Sequence, residues 1–176
     1  VHQNGTLLAT LINDILDLSK LESGTYEISR ELTSALEICR QAAASVKDRT
    51  RNDVVLSFDS QVKDVIFVTD PQRVAQVLIN LLTNACKCTE HGSIRLAYTA
   101  DNQSIRFSVT DTGCGVPAED AEKIFNRFEK LDKFKQGTGL GLNICKQIAG
   151  LLGGKIYVDT SYSHGARFVF EQPLNA

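Results

Sequence analysis

Three alternate glycines lead directly into an apolar helix and are the first candidates for a site that does chemistry. They are Gly137, Gly139 and Gly141, within the sequence Gln136-Gly-Thr-Gly-Leu-Gly-Leu142. Because glycine has no β-carbon, a charged ligand can come close to the main chain at these positions. The following apolar residues recur at helical spacing, so the loop presents free N–H groups and the positive end of a helix dipole at one place. The pattern favours an anion site such as a phosphate site; the alternative is a glycine-rich turn that only permits close helix packing.

A second glycine pair follows a predicted strand upstream, in Asp111-Thr-Gly-Cys-Gly-Val-Pro117. In that strand Ile105, Phe107 and Val109 alternate with polar residues, and Asp111 falls in phase with the apolar set. Its carboxylate is therefore predicted to point inward. Since an unpaired buried carboxylate is costly, we expect it to meet a donor at the floor of a pocket, and a nucleobase amine is one such donor.

A polar stripe follows the helix that is predicted to begin at Asp70-Pro71, roughly opposite its apolar face. Its members are Arg73, Gln76, Asn80, Asn84 and Lys87. A solvated surface is the alternative, but asparagine is a weak helix former, and two asparagines one turn apart indicate a use. An amide oxygen can bind Mg²⁺, which keeps its other positions for water and phosphate oxygens. Lys87, one turn beyond, is placed to hold a phosphate by charge.

Composition and charge limit the classes of function. The chain has 176 residues, 43% of them hydrophobic, so one compact domain with one appended element is expected. A formal net charge of −2 argues against a surface built to hold nucleic acid or anionic lipid. No apolar run approaches the ~20 residues that span a bilayer, and no signal-peptide pattern opens the chain. We therefore expect a cytoplasmic chain that does not itself contact a membrane.

The cysteines and histidines predict neither a metal centre nor a disulfide framework. Five cysteines lack a paired layout, so reduced and mostly buried thiols are expected. Cys86 and Cys88 lie two apart on one helix and would face different directions, which suits neither a metal clamp nor a redox pair. Cys114 lies between Gly113 and Gly115, where it is either an incidental small residue or a thiol that can be alkylated near a ligand. None of the three histidines has a second ligand at metal spacing, so none is assigned a catalytic role.

The remaining elements frame these residues. A helix is predicted over residues 4–22, with a wide apolar face and a stop at Gly24, and it indicates one member of a bundle whose other helices are missing or come from another chain. The alternative is that it packs on its own domain. Residues 129–136 are predicted to form a mobile lid after an aromatic patch of Ile124, Phe125 and Phe128. The predicted strands are Thr25–Arg30 (an edge strand), Val54–Phe58, Val65–Val68, Ser93–Tyr98, Ser104–Thr110, Lys155–Asp159 and Ala166–Glu171.

Four stretches together resemble the catalytic and ATP-binding domain of sensor histidine kinases, in the superfamily that includes gyrase, the Hsp90 chaperones and MutL. The resemblance runs from Tyr26 onward, and its motifs are an asparagine box (Asp70 to Lys87), a first glycine box (Asp111-x-Gly113-x-Gly115), a phenylalanine box (Ile124-Phe125-x-x-Phe128) and a second glycine box (Gly137-x-Gly139-x-Gly141). It implies an α+β fold: a two-layer α/β sandwich of the Bergerat ATP-binding type, with a mixed, mostly antiparallel sheet. Residues 1–24 resemble the C-terminal helix of the dimerisation and phosphoacceptor bundle, here truncated, and residues 25–176 resemble the catalytic domain.

The resemblance implies ATP and Mg²⁺ as cofactors. Asp111 would take the adenine amino group, Asn84 would bind Mg²⁺, Asn80 would support the phosphate and metal network, and Lys87 would contact phosphate. The full set that the resemblance assigns to ATP binding is Asn80, Asn84, Lys87, Asp111, Gly113, Gly115, Arg127, Lys130, Gly137, Thr138, Gly139, Leu140, Gly141 and Leu142. Either Arg127 or Lys130 would reach the γ-phosphate, and the sequence does not decide between them.

The implied activity is protein-histidine kinase, in which the γ-phosphoryl group passes to a histidine on the neighbouring bundle and then to a response regulator receiver domain. That histidine is expected upstream and is absent here, because His2 would lie in the wrong helix. The full-length protein is expected to be a homodimer that binds no nucleic acid, and a membrane anchor elsewhere in it is left open. Two rivals are a nucleotide-binding scaffold that transfers no phosphate and an ATPase clamp of the MutL or gyrase kind.

Three features differ from the family pattern. Cys88 stands where an aromatic residue often follows the asparagine-box lysine, and Ala166 stands where a threonine is common. The lid between Phe128 and Gly137 is shorter than in many relatives.

Overall fold

A computed structural model of the chain describes residues 2–59, 63–129 and 138–175, with side chains from residue 8 onward. The helices and strands are α1 (His2–Glu22), β1 (Glu31–Ser34), α2 (Ala35–Val46), β2 (Val54–Phe58), β3 (Ile66–Thr69), α3 (Pro71–Cys88), β4 (Gly92–Ala100), β5 (Ser104–Asp111), α4 (Gly141–Leu151), β6 (Lys155–Val158) and β7 (Ala166–Pro173). Short 3-10 turns lie at Ala118–Asp120 and Lys123–Phe125, before the predicted lid. Within the described residues, no helix combines the length and the apolar character that crossing a bilayer requires.

The main sheet has five strands in the order β2-β4-β5-β7-β6. β2 and β4 are parallel and the other pairs are antiparallel, which confirms the predicted mixed, mostly antiparallel sheet. β4 and β5 form a hairpin. Its turn is fixed by Asp101, whose Oδ1 accepts the backbone N–H groups of Gln103 and Ser104, both at 2.8 Å. A separate antiparallel pair joins β1 to β3.

The helices form a second layer on the sheet, and the core lies between the layers. α3 packs against α2, α4, β4 and β5. Its inward face is fully apolar and consists of Val74, Val77, Leu78, Leu81, Leu82 and Ala85. On the sheet side Phe107 occupies the centre of an aromatic cluster, with ring centroids 6.1 Å from Phe67, 6.1 Å from Tyr98 and 5.9 Å from Phe170. Alternation along β5 thus buries Phe107 and, at the strand end, Asp111 on the same face.

The predicted edge strand at Thr25–Arg30 is wrong, because this segment pairs with no strand. Side chains of α3 take its polar groups instead. The N-cap residue Asp70 accepts the backbone N–H of Ser29 at 2.9 Å, and the Tyr26 hydroxyl donates to Gln76 Oε1 at 3.1 Å. Strand pairing begins only at Glu31, where β1 meets β3.

The first helix has two apolar faces. One face packs against the core through Leu11, Leu18 and Leu21. The other is 50–58% exposed and consists of Leu8, Ile12, Ile15 and Leu16. One face of α1 therefore packs on the chain's own domain, as the alternative interpretation expected. A second apolar stripe remains exposed.

Replacing Phe107 with alanine is expected to lower the free energy of unfolding by about 3–5 kcal/mol, because it removes the shared ring of the aromatic cluster. Leu32→Ala, at a side chain that is 74% exposed, should change it by less than about 0.5 kcal/mol. Urea unfolding of both variants measures the difference. Equal effects of the two substitutions would contradict the central position of Phe107.

Candidate functional site

Asp111 is a buried acid at the end of β5. It is 2% exposed, and its Oδ1 accepts backbone N–H groups from Gly113 at 2.8 Å and Ala166 at 3.3 Å. Burial raises the pKa of Asp111, and the two backbone hydrogen bonds oppose that rise. The predicted inward carboxylate is thus confirmed, and the first donors that it meets are main-chain groups from its own loop and from β7.

Glycines surround this acid because the main chain passes too close for side chains. A β-carbon on Gly113 would lie 2.5 Å from the carbonyl oxygen of Cys88, and one on Gly165 would lie 2.0 Å from that of Asp111. Gly115 has a φ of 72°, in the left-handed region that favours glycine. The first glycine segment therefore packs its backbone against the end of α3 and the start of β7.

Asn80 and Asn84 lie half-buried on α3 and point to the same side as the glycine segments. Asn84 Nδ2 donates to Asn80 Oδ1 at 3.4 Å. A β-carbon on Gly141 would lie 2.4 Å from Asn80 Nδ2, so the start of α4 rests directly on this amide. The asparagine pair is therefore part of the site wall rather than a solvated surface.

One pocket brings these groups together. It is lined by Asn84, Ala85, Cys88, Asp111, Cys114, Gly115, Ala166 and Phe168. Its free volume of about 10 Å³ is roughly the space that one water molecule needs. A purine ring is larger than this space.

The second glycine segment is described from Thr138 onward. Gly139 has a φ of 72°, and its carbonyl oxygen accepts the backbone N–H of Phe128 at 2.9 Å, which ties together the two ends of the predicted lid. Leu140 precedes α4 and is 1% exposed, so its side chain belongs to the core and only its backbone is available to a ligand. No side chain caps the first turn of α4, and Leu142 packs against the core.

The phosphate-binding candidates lie beside acids of α1. Thr138 Oγ1 donates to Asp14 Oδ2 at 2.8 Å, and Arg127 forms an ion pair with Glu22. Burial raises the pKa of Asp14, while the Thr138 hydrogen bond and the charge of Lys87 oppose that rise. Acids of α1 therefore hold or face three of the groups that were assigned to ATP binding: Thr138, Arg127 and Lys87.

The role of Asp14 was missed in the sequence, although a signal for it exists. Leu11, Asp14, Leu18 and Leu21 alternate spacings of three and four, so a carboxylate interrupts the inward apolar stripe of α1. An acid in such a stripe needs a polar partner on the opposing surface, and Thr138 is that partner.

The start of the polar stripe on α3 attaches α1 rather than lining the pocket. Gln76 Nε2 donates to Asp17 Oδ2 at 2.7 Å. Gln76 Oε1 accepts from Arg73 at 3.1 Å, and the Arg73 guanidinium lies 4.2 Å from the centre of the Tyr26 ring. One helix thus binds α1 with its first half and lines the pocket with its second half.

The predicted aromatic patch is wrong in one residue, and most of the predicted lid is not described by the structure. Phe128 is 69% exposed with a φ of 61°, so it is not part of an aromatic patch with Ile124 and Phe125, which are buried. Phe125 instead packs edge-on against Phe168, at a centroid distance of 6.3 Å. Lys130, Gly137 and most of the predicted lid lie outside the described residues.

Known proteins match this arrangement. The model of the family described as histidine kinase-, DNA gyrase B-, and HSP90-like ATPase matches residues 69–176. The circadian input-output histidine kinase CikA of Synechococcus elongatus is 35% identical over 176 residues, which cover 96% of this chain. The same match covers 23% of CikA, so the chain spans about a quarter of this relative.

Solved structures agree in fold and sequence. The catalytic domain of histidine kinase ThkA matches with a TM-score of 0.72 and 33% identity, over 83% of this chain and 99% of that domain. Full-length ShkA in complex with AMPPNP matches with a TM-score of 0.84 and 31% identity, over 99% of this chain and 37% of ShkA. ThkA in complex with the response regulator protein TrrA matches with a TM-score of 0.78 and 28% identity, over 98% of this chain and 49% of that one.

The family match extends over more than half of the chain, and the described asparagine and first glycine segments meet at one pocket. The chain therefore belongs to the histidine kinase-, DNA gyrase B-, and HSP90-like ATPase family, and the domain that it forms is the ATP-binding catalytic domain of histidine kinases.

Proposed function

We propose that this chain binds Mg²⁺-ATP and transfers the γ-phosphoryl group to a histidine on the phosphoacceptor helix of the same protein, for relay to an aspartate of a response regulator. The observation that carries the proposal is the single pocket shared by the Asp111 carboxylate and the Asn84 amide. ShkA binds AMPPNP, an ATP analogue, and ThkA is found with a response regulator, which supports the same ligand and partner class here.

Asp111 is the adenine-recognition residue of this proposal. Both of its backbone donors use Oδ1, so Oδ2 can accept a hydrogen bond from the exocyclic amine of adenine. A buried acceptor that needs a donor discriminates against a base that presents a carbonyl oxygen at the same place. The pocket should therefore prefer ATP to GTP.

Asn84 is the Mg²⁺ ligand of this proposal. Its Nδ2 is directed to Asn80, so its Oδ1 is left as an acceptor on the pocket side. Among the described residues no cluster of three or more histidine, cysteine or acidic side chains can hold a metal ion. This fits Mg²⁺, which takes few ligands from the protein and the rest from water and phosphate. When bound, Mg²⁺ would neutralise charge on the phosphate oxygens.

The phosphates would lie along the second glycine segment, near the first turn of α4. Thr138 and Lys87 would contact them, and Arg127 or Lys130 would reach the γ-phosphate. Because Thr138 and Arg127 are bonded to Asp14 and Glu22, phosphate binding would exchange these carboxylate partners for phosphate oxygens.

Residues 1–24 would belong to the dimerisation and phosphoacceptor bundle, and residues 25–176 would form the catalytic domain. The exposed apolar stripe of α1 would then be buried against the other bundle helices in a homodimer. The exposed apolar stripe of α1 suits a place in a helix bundle, since an uncovered apolar face of this size marks a contact surface.

Asp111→Asn is expected to weaken ATP binding about 10- to 100-fold, because the amide places a donor opposite the adenine amine. The amide oxygen can still accept both backbone N–H groups, so the loop should be retained. Because burial raises the pKa of Asp111, ionisation of this side chain lowers the stability of the fold as pH rises through that pKa. The neutral asparagine variant should therefore unfold at a urea concentration no lower than that of the unmodified chain. Calorimetric titration with ATP measures the binding.

A matched control for this substitution is Asp101→Asn. Asp101 also accepts two backbone N–H groups through one oxygen, but it lies in the exposed β4–β5 turn. The Asp101→Asn variant should therefore bind ATP with the same affinity as the unmodified chain. Equal ATP binding by Asp111→Asn and Asp101→Asn would refute the assignment of the adenine site.

Asn84→Ala is expected to weaken ATP binding about tenfold in Mg²⁺ and to change it little in EDTA, because only the metal-dependent part is lost. Gln72→Ala, at an exposed position on the same helix, is the control. Titrations with and without Mg²⁺ separate the two contributions. If the loss is equally large in EDTA, Asn84 does not act through the metal.

Asp14→Asn is expected to tighten ATP binding about two- to fivefold, because it removes a charge that holds Thr138 and attracts Lys87. Since burial raises the pKa of Asp14, the difference from the unmodified chain should narrow as pH falls through that pKa. Asp17→Asn, whose partner is Gln76, should not show this gain. Weaker ATP binding by Asp14→Asn would contradict the proposed competition between the Asp14 carboxylate and the phosphates for Thr138.

A further inference from the structure

Two of the five cysteines differ from the others in their surroundings. All five are free thiols, and Cys39, Cys86 and Cys145 are buried in the core. Cys88 and Cys114 are only partly buried and line the same pocket as Asp111 and Asn84. Solvent and small oxidants can therefore reach this pair, whereas the core thiols are shielded.

Cys88 and Cys114 also lie close to each other in the fold. Cys88 is the last residue of α3, and Cys114 lies in the loop that follows β5. The loop backbone presses on the helix end, since a β-carbon on Gly113 would lie 2.5 Å from the Cys88 carbonyl oxygen. The two side chains line one pocket, and each thiol is close enough to influence the other electrostatically. The two cysteines are therefore neighbours where the loop meets the end of α3.

The loop is built to adjust at this point. Gly113 and Gly115 flank Cys114, and Gly115 already has a φ of 72°. A disulfide needs β-carbons about 3.5–4.5 Å apart and specific dihedral angles, so small backbone movements normally accompany its formation. Two flanking glycines allow such movements at low cost.

A bond between these sulfurs would obstruct the pocket. The free volume is already about 10 Å³, and both cysteines belong to its lining. A covalent link would hold the end of α3 to the loop and prevent the pocket from widening at this place. Bound nucleotide, in turn, would separate the thiols and protect them.

We propose that Cys88 and Cys114 are an oxidation site, at which a peroxide forms a disulfide that closes the nucleotide pocket and reversibly stops ATP binding. The consequence for ATP rests on the function proposed above, while formation of the bond does not. The site would make the domain respond to peroxide directly, without a separate sensor.

The chemistry balances in two steps. Cys114 lies in the glycine loop, and the first step is written with Cys114 as the nucleophile. Its thiolate attacks the peroxide, the O–O bond breaks, and a sulfenic acid and water are formed. The Cys88 sulfur, as its thiolate, then attacks the Cys114 sulfur, the S–S bond forms, and the S–O bond breaks as hydroxide leaves and takes up a proton. Two thiols and hydrogen peroxide thus yield one disulfide and two waters.

The experiment treats the chain with hydrogen peroxide and then maps its disulfides by peptide mass spectrometry. The expected product is a Cys88–Cys114 link within one molecule, and saturating ATP with Mg²⁺ should slow its formation. Cys114→Ser should form no such link. Cys86→Ala, two residues from Cys88 but buried near Thr50, should form it as the unmodified chain does.

Calorimetry on the same samples gives the consequence for ATP. Oxidation should weaken ATP binding at least about tenfold, and dithiothreitol should restore it. Cys88→Ser and Cys114→Ser should bind ATP equally before and after peroxide. Peroxide treatment that gives no Cys88–Cys114 link, or a linked protein that binds ATP like the reduced one, overturns the proposal. Reduced protein that binds no ATP would instead refute the proposed function, because the mass map reports the link independently.

Discussion

The buried Asp111 carboxylate is the constraint on which the rest of the site depends. A charge at 2% exposure needs donors, and the nearest are main-chain N–H groups from its own loop and from the start of β7. Both can approach only because Gly113 and Gly165 leave room for the backbone. Asp111 therefore holds the glycine loop and the start of β7 in place. Together these groups form the side of the pocket that faces Asn84.

α3 connects this wall to the rest of the molecule. Its apolar face carries the core, its second half presents Asn80 and Asn84, and its first half binds α1 through Gln76. Since a helix moves as a rigid body, a displacement of α1 acts on the same element that lines the pocket. Asp14 adds a second route, because it bonds to Thr138 at the end of the predicted lid.

Much of this arrangement was predictable from local patterns. Alternation along β5 predicted the inward Asp111, and helical spacing predicted the core face of α3. The strand predicted at Thr25–Arg30 failed because distant side chains, those of Asp70 and Gln76, take up its polar groups. The shared pocket of Cys88 and Cys114 was equally hidden, since it depends on how closely the glycine loop meets the end of α3.

The backbone hydrogen bond between Phe128 and Gly139 joins the two ends of the segment that was predicted to form a lid. With its ends held together, a longer or shorter loop changes the closure entropy by only about 0.6 kcal/mol per doubling of length. Insertions and deletions between these two residues are therefore nearly neutral for folding. The length of this segment can therefore vary between relatives while the Asp111 end of the pocket stays unchanged.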